Sequence, residues 1–209
     1  MPNQAKQLWL RLWRRIGAKG NPSNAYDDLA TRYSESHRAY HTLEHIVNCL
    51  DEFEQVQHLV GNPNAVEFAL WYHDAIYNTK AKDNEEKSAE LAVGAAKRTS
   101  LPGNLGQSAA NLILATKHAE IPADPDSRFL VDIDLSILGQ SEDRFDEYER
   151  QIRKEYAWVP EDAFVSGRGA ILKSFLGRPS IYSTEFFRNK YEAQARLNIA
   201  RSIARLSGN

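Results

Sequence analysis

Cysteine occurs once in this 209-residue chain, at Cys49, so no internal disulfide can staple the fold. No apolar run approaches the roughly 20 residues that a bilayer-spanning helix needs. Nor does one sign of charge dominate: 26 Lys and Arg stand against 28 Asp and Glu, a difference of two, which argues against a nucleic-acid or membrane-surface partner. Arg11, Arg14 and Arg15 break the first apolar stretch, so it does not read as a signal-peptide core. From these absences we expect a cytoplasmic protein. There is also no internal repeat, low-complexity tract or dividing linker. With 42% hydrophobic and 26% charged residues the composition is ordinary for a globular chain, and one core can organise this length. A single domain over residues 1–209 is the expectation.

What is present is helical punctuation. Leu8, Trp9, Leu12, Trp13 and Ile16 recur at helical spacing, with Arg11, Arg14 and Arg15 on the other face, up to a stop near Gly17–Gly20. We read this helix as docked on its own domain. Ser23 or Asn24 is a candidate cap for a second helix through Tyr26, Leu29 and Tyr33. A third runs from about Thr42 to Leu59. Asn64 is the candidate cap of a fourth, which carries Val66, Phe68, Leu70, His73, Asp74 and Ile76. Residues 77 to 83 read as a polar loop. Asp83-Asn84-Glu85-Glu86 resembles a capping box for the next helix, and Leu101-Pro102-Gly103-Asn104 separates that helix from its successor. Further helices are expected over about 104–117, 127–138, 141–157, 161–176 and 184–206. Residues 129–135 alternate with period two, but no second segment could pair with them as a strand. The expected fold class is all-α, a multi-helix bundle.

Inside the apolar stretch from Phe68 to Tyr77 stand His73 and Asp74, two metal-competent side chains where an unpaired carboxylate would be costly to bury. Upstream, Tyr40-His41-Thr42-Leu43-Glu44-His45 offers two more imidazoles about one helical turn apart. Downstream, Val131-Asp132-Ile133-Asp134-Leu135 offers carboxylates in another apolar setting. His45, His73, Asp74 and Asp134 together make a mixed nitrogen and oxygen set suited to a divalent cation with open positions, whether Mn, Mg, Fe or Zn. On a helix the Asp132 and Asp134 carboxylates point about 200° apart, so only one faces such an ion, and the other is expected to bond a basic neighbour such as Arg128.

The order His45, His73-Asp74, Asp134 resembles the H…HD…D signature of the HD superfamily of metal-dependent phosphohydrolases. The surrounding Tyr-His-Thr-Leu-Glu-His-Ile, Trp-Tyr-His-Asp, Asp-Asn-Glu-Glu-Lys-Ser-Ala and Asp-Ile-Asp-Leu-Ser-Ile-Leu-Gly are similar to its bacterial branch of predicted phosphohydrolases. The resemblance spans about residues 40–138 and implies an HD-type bundle with the metal in a central cleft. It further implies hydrolysis of a phosphoester or phosphoanhydride, in a small nucleotide, by a metal-activated water. Tyr40-His41 to His45 is also similar to the Tyr-His-Asn-x-x-His motif of cyclic nucleotide phosphodiesterases. That likeness makes His45 a ligand and His41 the acid that protonates the leaving oxygen. Asp134-Leu135-Ser136 resembles the Asp-Leu-Ser of the same enzymes and favours Asp134 over Asp132.

Two departures qualify the transfer. Asn78 stands where the phosphodiesterases carry a further histidine, and Tyr77 where the bacterial HD nucleotidases carry a glutamate. Glu85 is then the candidate to orient water, with helix N-terminal charge stabilisation as its structural alternative. Tyr77, Asn84, Lys117 and His118 are the candidates for substrate contact, and one or two of Arg150, Arg153, Lys154, Arg168, Lys173 and Arg178 are candidates to hold phosphate. The partner implied is a small phosphorylated molecule, and an oligomer is allowed. The rival reading is a metal-containing sensor or interaction protein without turnover.

Overall fold

The computed structural model describes residues 2–101, 103–118 and 121–208, and the described residues form helices and no strand. Ten α-helices follow in order: α1 Pro2–Arg15, α2 Pro22–Arg32, α3 Leu43–Val56, α4 Pro63–Tyr72, α5 Asn84–Arg98, α6 Leu105–Ala115, α7 Pro125–Asp134, α8 Glu142–Glu155, α9 Glu161–Leu176 and α10 Glu185–Leu206. Short 3-10 turns, Gln57–Leu59 and Leu135–Gly139, follow α3 and α7. The all-α expectation holds. Contacts gather into two compact units, Met1–Val131 and Asp132–Asn209, with the division inside α7.

In the first unit, α4 is nearly all apolar, and Ala65 through Tyr72 are buried along its length. Trp9 of α1 meets Trp71 of α4 edge-on at 5.3 Å between ring centroids, the buried face expected of that amphipathic helix. α6 crosses α5 closely enough that a Cβ on Gly106 would stand 2.5 Å from the Cβ of Ala96, so only glycine fits there.

Two caps differ from expectation. The residue that caps α2 is Asn21, whose side chain accepts from Ser23 N at 2.9 Å, and the residue that caps α4 is Asn62, which accepts from Ala65 N at 3.1 Å. In each case proline follows at the first helical position, where its missing N–H costs nothing, so Asn-Pro marks the start and Ser23, Asn24 and Asn64 lie inside the helix. Thr42 caps α3, accepting from Glu44 N at 3.3 Å. Asp83 makes no side-chain capping bond to α5; it pairs with Lys87 at 3.0 Å. Pro102 of the expected turn after α5 lies outside the described residues.

In the second unit, α10 is the axis. Asn198, fully buried, donates to Leu138 O at 2.9 Å and Gln140 O at 2.8 Å, and Tyr182 donates to Leu135 O at 3.0 Å. Gly139 lets this turn approach α10, because a Cβ there would lie 2.4 Å from the Cβ of Tyr191. Arg168 of α9 and Glu149 of α8 form a buried ion pair, and Ser202 donates to the same carboxylate at 2.8 Å. Arg150 pairs with Glu147, Arg153 with Glu161, and Arg178 lies over the Phe175 ring. These four basic candidates for phosphate therefore have intramolecular partners. Asp146 accepts from Arg205 and Arg201 at 2.7–3.1 Å, and chiefly the Arg205 bonds hold its carboxyl below the ordinary value. A depressed folded-state value stabilises the fold above the unfolded carboxylate range and loses that contribution as pH falls through the folded value. Asp146→Asn should therefore flatten the acid limb of a stability-versus-pH curve recorded by urea unfolding between pH 5 and roughly pH 2.

Candidate metal centre

His73 and Asp74 stand at the end of α4, not inside it. Tyr72 is the last helical residue, His73 closes the final turn through its N–H to Ala69 O at 2.8 Å, and the chain then turns. That termination lets the imidazole fold back. His73 Nδ1 lies 2.9 Å from Leu70 O, and because a carbonyl only accepts, Nδ1 carries the hydrogen. Nε2 of a neutral His73 is then the lone-pair nitrogen, the arrangement found in metal-binding histidines.

What that nitrogen faces is the informative part. Asp74 Oδ2 lies 3.0 Å from His73 Nε2 and 3.4 Å from His45 Nε2, and the two Nε2 atoms are 3.2 Å apart. His45 and His73 are almost wholly buried, at 2% and 1% exposure. Two acceptors at 3.0 Å repel each other unless a proton or a cation lies among them. A cation holding three atoms at about 2.0 to 2.2 Å imposes mutual separations of roughly 3.0 to 3.5 Å, and all three edges of this triangle fall within or near that range. The donor chemistry fits an ion. With protons in place of an ion, burial by itself would raise the Asp74 carboxyl, but the charge of protonated His73 and His41 and the N–H bonds then donated by His45 and His73 outweigh it and hold it well below the usual carboxylate range.

Asp134 is the last residue of α7 and is half-buried. Within the first unit, one ligand atom each of His45, Cys49 and His73 lies within 4.8 Å of the others, so this group could hold a metal ion. Asp132 is engaged elsewhere. Its buried carboxylate accepts from Ser183 N at 2.8 Å, Thr184 N at 2.7 Å and Thr184 Oγ1 at 2.7 Å, which fixes the start of α10. The expected partnership of the non-ligand carboxylate with Arg128 is thus corrected: Arg128 donates to Pro122 O at 2.7 Å, and unbonded backbone amides ahead of α10 take Asp132. Asp132→Ala should lower stability by about 2 kcal/mol through loss of this anchoring, with metal affinity unchanged, as paired urea and metal titrations would record.

The remaining candidates sit on a braced loop. His41, in the turn before α3, stacks on Tyr77 at 4.1 Å between centroids and meets His45 edge-on at 5.9 Å. Asn84 accepts from Asn78 N and donates to Asn78 O, both at 3.0 Å, so its side chain holds the 78–84 loop closed. Lys117 is ion-paired with Glu86. Glu85 lies in the first turn of α5, and His118 ends the α6 turn with a left-handed φ of 54°. Among the described residues, the ion pair of Lys117 and the helix-start position of Glu85 do not reach the histidine cluster. Tyr77 is the substrate-contact candidate that the structure brings beside it.

Two bracing residues escaped the sequence reading. Arg38, buried with 6% exposure, donates to His41 O at 3.0 Å, Asp74 O at 2.8 Å and Ala75 O at 3.1 Å, pairs with Glu35 at 3.0 Å, and lies over the Tyr33 and Tyr77 rings. One guanidinium therefore ties the His41 turn to the His73-Asp74 turn. Ser88 on α5 accepts from Ile76 N at 3.0 Å, fixing the chain two residues past Asp74. The third omission, Cys49, was legible in its spacing: it follows His45 by four residues on α3, on the same face. Comparison of the chain with protein-family models, with curated proteins and with solved structures finds no match in any of the three.

Proposed function

We propose that this chain is a metal-dependent hydrolase of HD type that cleaves a phosphoester or phosphoanhydride of a small nucleotide. The observation that carries the reading is the convergence of His45 Nε2, His73 Nε2 and Asp74 Oδ2 at 3.0–3.4 Å, with the His41 ring edge-on to His45. His45, His73 and Asp74 would hold a divalent cation, and the HD-type resemblance implies Asp134 as the further carboxylate ligand. Such an ion supplies an acidified water and neutralises charge on phosphoryl oxygens. His41 hands a proton to the leaving oxygen as the P–O bond breaks, a role suited to an imidazole at neutral pH. Its ring is oriented by the Tyr77 stack, and its backbone is held by Arg38. Tyr77 also offers an aromatic face to a base or sugar, and Glu85 is the candidate to orient water.

His41→Asn should lower kcat by about 10²- to 10⁴-fold, the usual contribution of a general acid, while leaving metal content unchanged. The assay is turnover of nucleotide mono-, di-, tri- and cyclic esters by metal-loaded protein. Metal bound stoichiometrically with no turnover across that panel would favour a sensor instead.

A further inference from the structure

The structure offers a donor that the nitrogen and oxygen set does not contain. Cys49 is 2% exposed, and its Sγ lies 3.7 Å from His45 Nε2 and 3.7 Å from His45 Nδ1. A thiol hydrogen bond aims at one lone pair, so equal separation from both ring nitrogens does not describe one. The separation from Nε2 does suit a shared ion: bonds of about 2.3 Å to sulfur and 2.0 to 2.1 Å to nitrogen put the two donors roughly 3.5 Å apart at a tetrahedral angle. His73 supplies the independent sign of a ligand. Its Nδ1–H is committed to Leu70 O, which leaves Nε2 directed into the cluster toward His45 Nε2. Cys49 and His45 project from one face of α3, so the helix itself sets their spacing.

We infer that Cys49 is a thiolate ligand of this centre and that it makes the site select a borderline-soft cation, zinc, cobalt(II) or iron(II), over magnesium. This rests on the metal-site part of the function proposed above, not on the phosphohydrolase chemistry. Magnesium prefers an all-oxygen octahedral shell and gains nothing from sulfur, whereas zinc and cobalt bind thiolate and imidazole together. On binding, the Cys49 S–H bond gives way to a metal–sulfur bond, and the proton leaves to solvent.

The test is titration of chelator-stripped protein with cobalt(II), followed by absorption spectroscopy. Wild type should develop a thiolate-to-cobalt charge-transfer band in the near ultraviolet that saturates together with the visible ligand-field bands. Zinc should displace both, and magnesium in large excess neither. Cys49→Ser should keep ligand-field bands, lose the charge-transfer band and bind zinc about 10- to 100-fold more weakly, the range that a supporting group of a metal site commands. The wild-type spectrum carries the test even if a variant misfolds. Cobalt bound without a charge-transfer band, or a band that survives in Cys49→Ser, overturns the role of Cys49 and leaves the metal site standing. No binding of cobalt or zinc by wild type overturns both.

Discussion

Alanine in place of His73 should reduce affinity for zinc or manganese by more than about a hundredfold, because loss of a mere supporting group of a metal site already costs about 10- to 100-fold. Hydrolytic turnover should vanish with it. The expectation follows from position: His73 Nε2 has the two shortest edges of the triangle, 3.0 Å to Asp74 Oδ2 and 3.2 Å to His45 Nε2. Removing that imidazole also removes the bond to Leu70 O. It leaves a cavity where a buried side chain stood, so some loss of stability accompanies the loss of binding. His73→Gln keeps much of the volume and separates the two effects. Isothermal titration with zinc and manganese, paired with urea unfolding, reads both. Metal affinity within a few-fold of wild type in folded His73→Ala and His73→Gln would remove His73 from the ligand set.

Arg38→Ala should have the second large effect, on stability and on the site together. Its guanidinium serves the carbonyls of His41, Asp74 and Ala75 and the carboxylate of Glu35, with the side chain fully enclosed. Each buried carbonyl left without a donor costs about 1 to 3 kcal/mol, and some will find water, so a loss of about 3 kcal/mol or more is expected. Freeing the Asp74 turn from the His41 turn should also weaken metal binding by about 10- to 100-fold, as loss of supporting bonds around a centre does. Arg38→Lys should recover little of either, because one ammonium cannot reach three carbonyls that a planar fork spans. If Arg38→Ala unfolds at the wild-type urea concentration and binds metal equally well, the two turns are held by other means.

The helices were readable from spacing, and so were most of the converging groups. α9 runs over the expected residues, and α3, α8 and α10 differ only at their ends, where capping and 3-10 turns decide. His45, His73 and Asp74 could be nominated because polar groups in apolar stretches demand partners. Which nitrogen of His73 faces the cluster could not, since it depends on α4 ending at Tyr72 and on Leu70 O lying within reach of the ring. Arg38 and Ser88 left no periodic signal, because what they brace is distant in sequence, 37 residues on for the bond of Arg38 to Ala75 O and 12 residues back for that of Ser88 to Ile76 N. Asp132 and Asp134 are equivalent to a pattern reader; only the loop ahead of α10 separates them, by taking Asp132. Asn84 is instructive in another way: read as a substrate contact, it closes the 78–84 loop that follows the His-Asp pair.

The central claim is that His45, His73 and Asp74 share one cation. Anomalous diffraction from crystals soaked in zinc or manganese, recorded on both sides of the metal absorption edge, tests it directly. A single strong peak is expected about 2.0 to 2.2 Å from His45 Nε2, His73 Nε2 and a carboxylate oxygen of Asp74. No peak there in metal-soaked crystals, or the two Nε2 atoms bridged by a proton with the ion bound elsewhere, would contradict it.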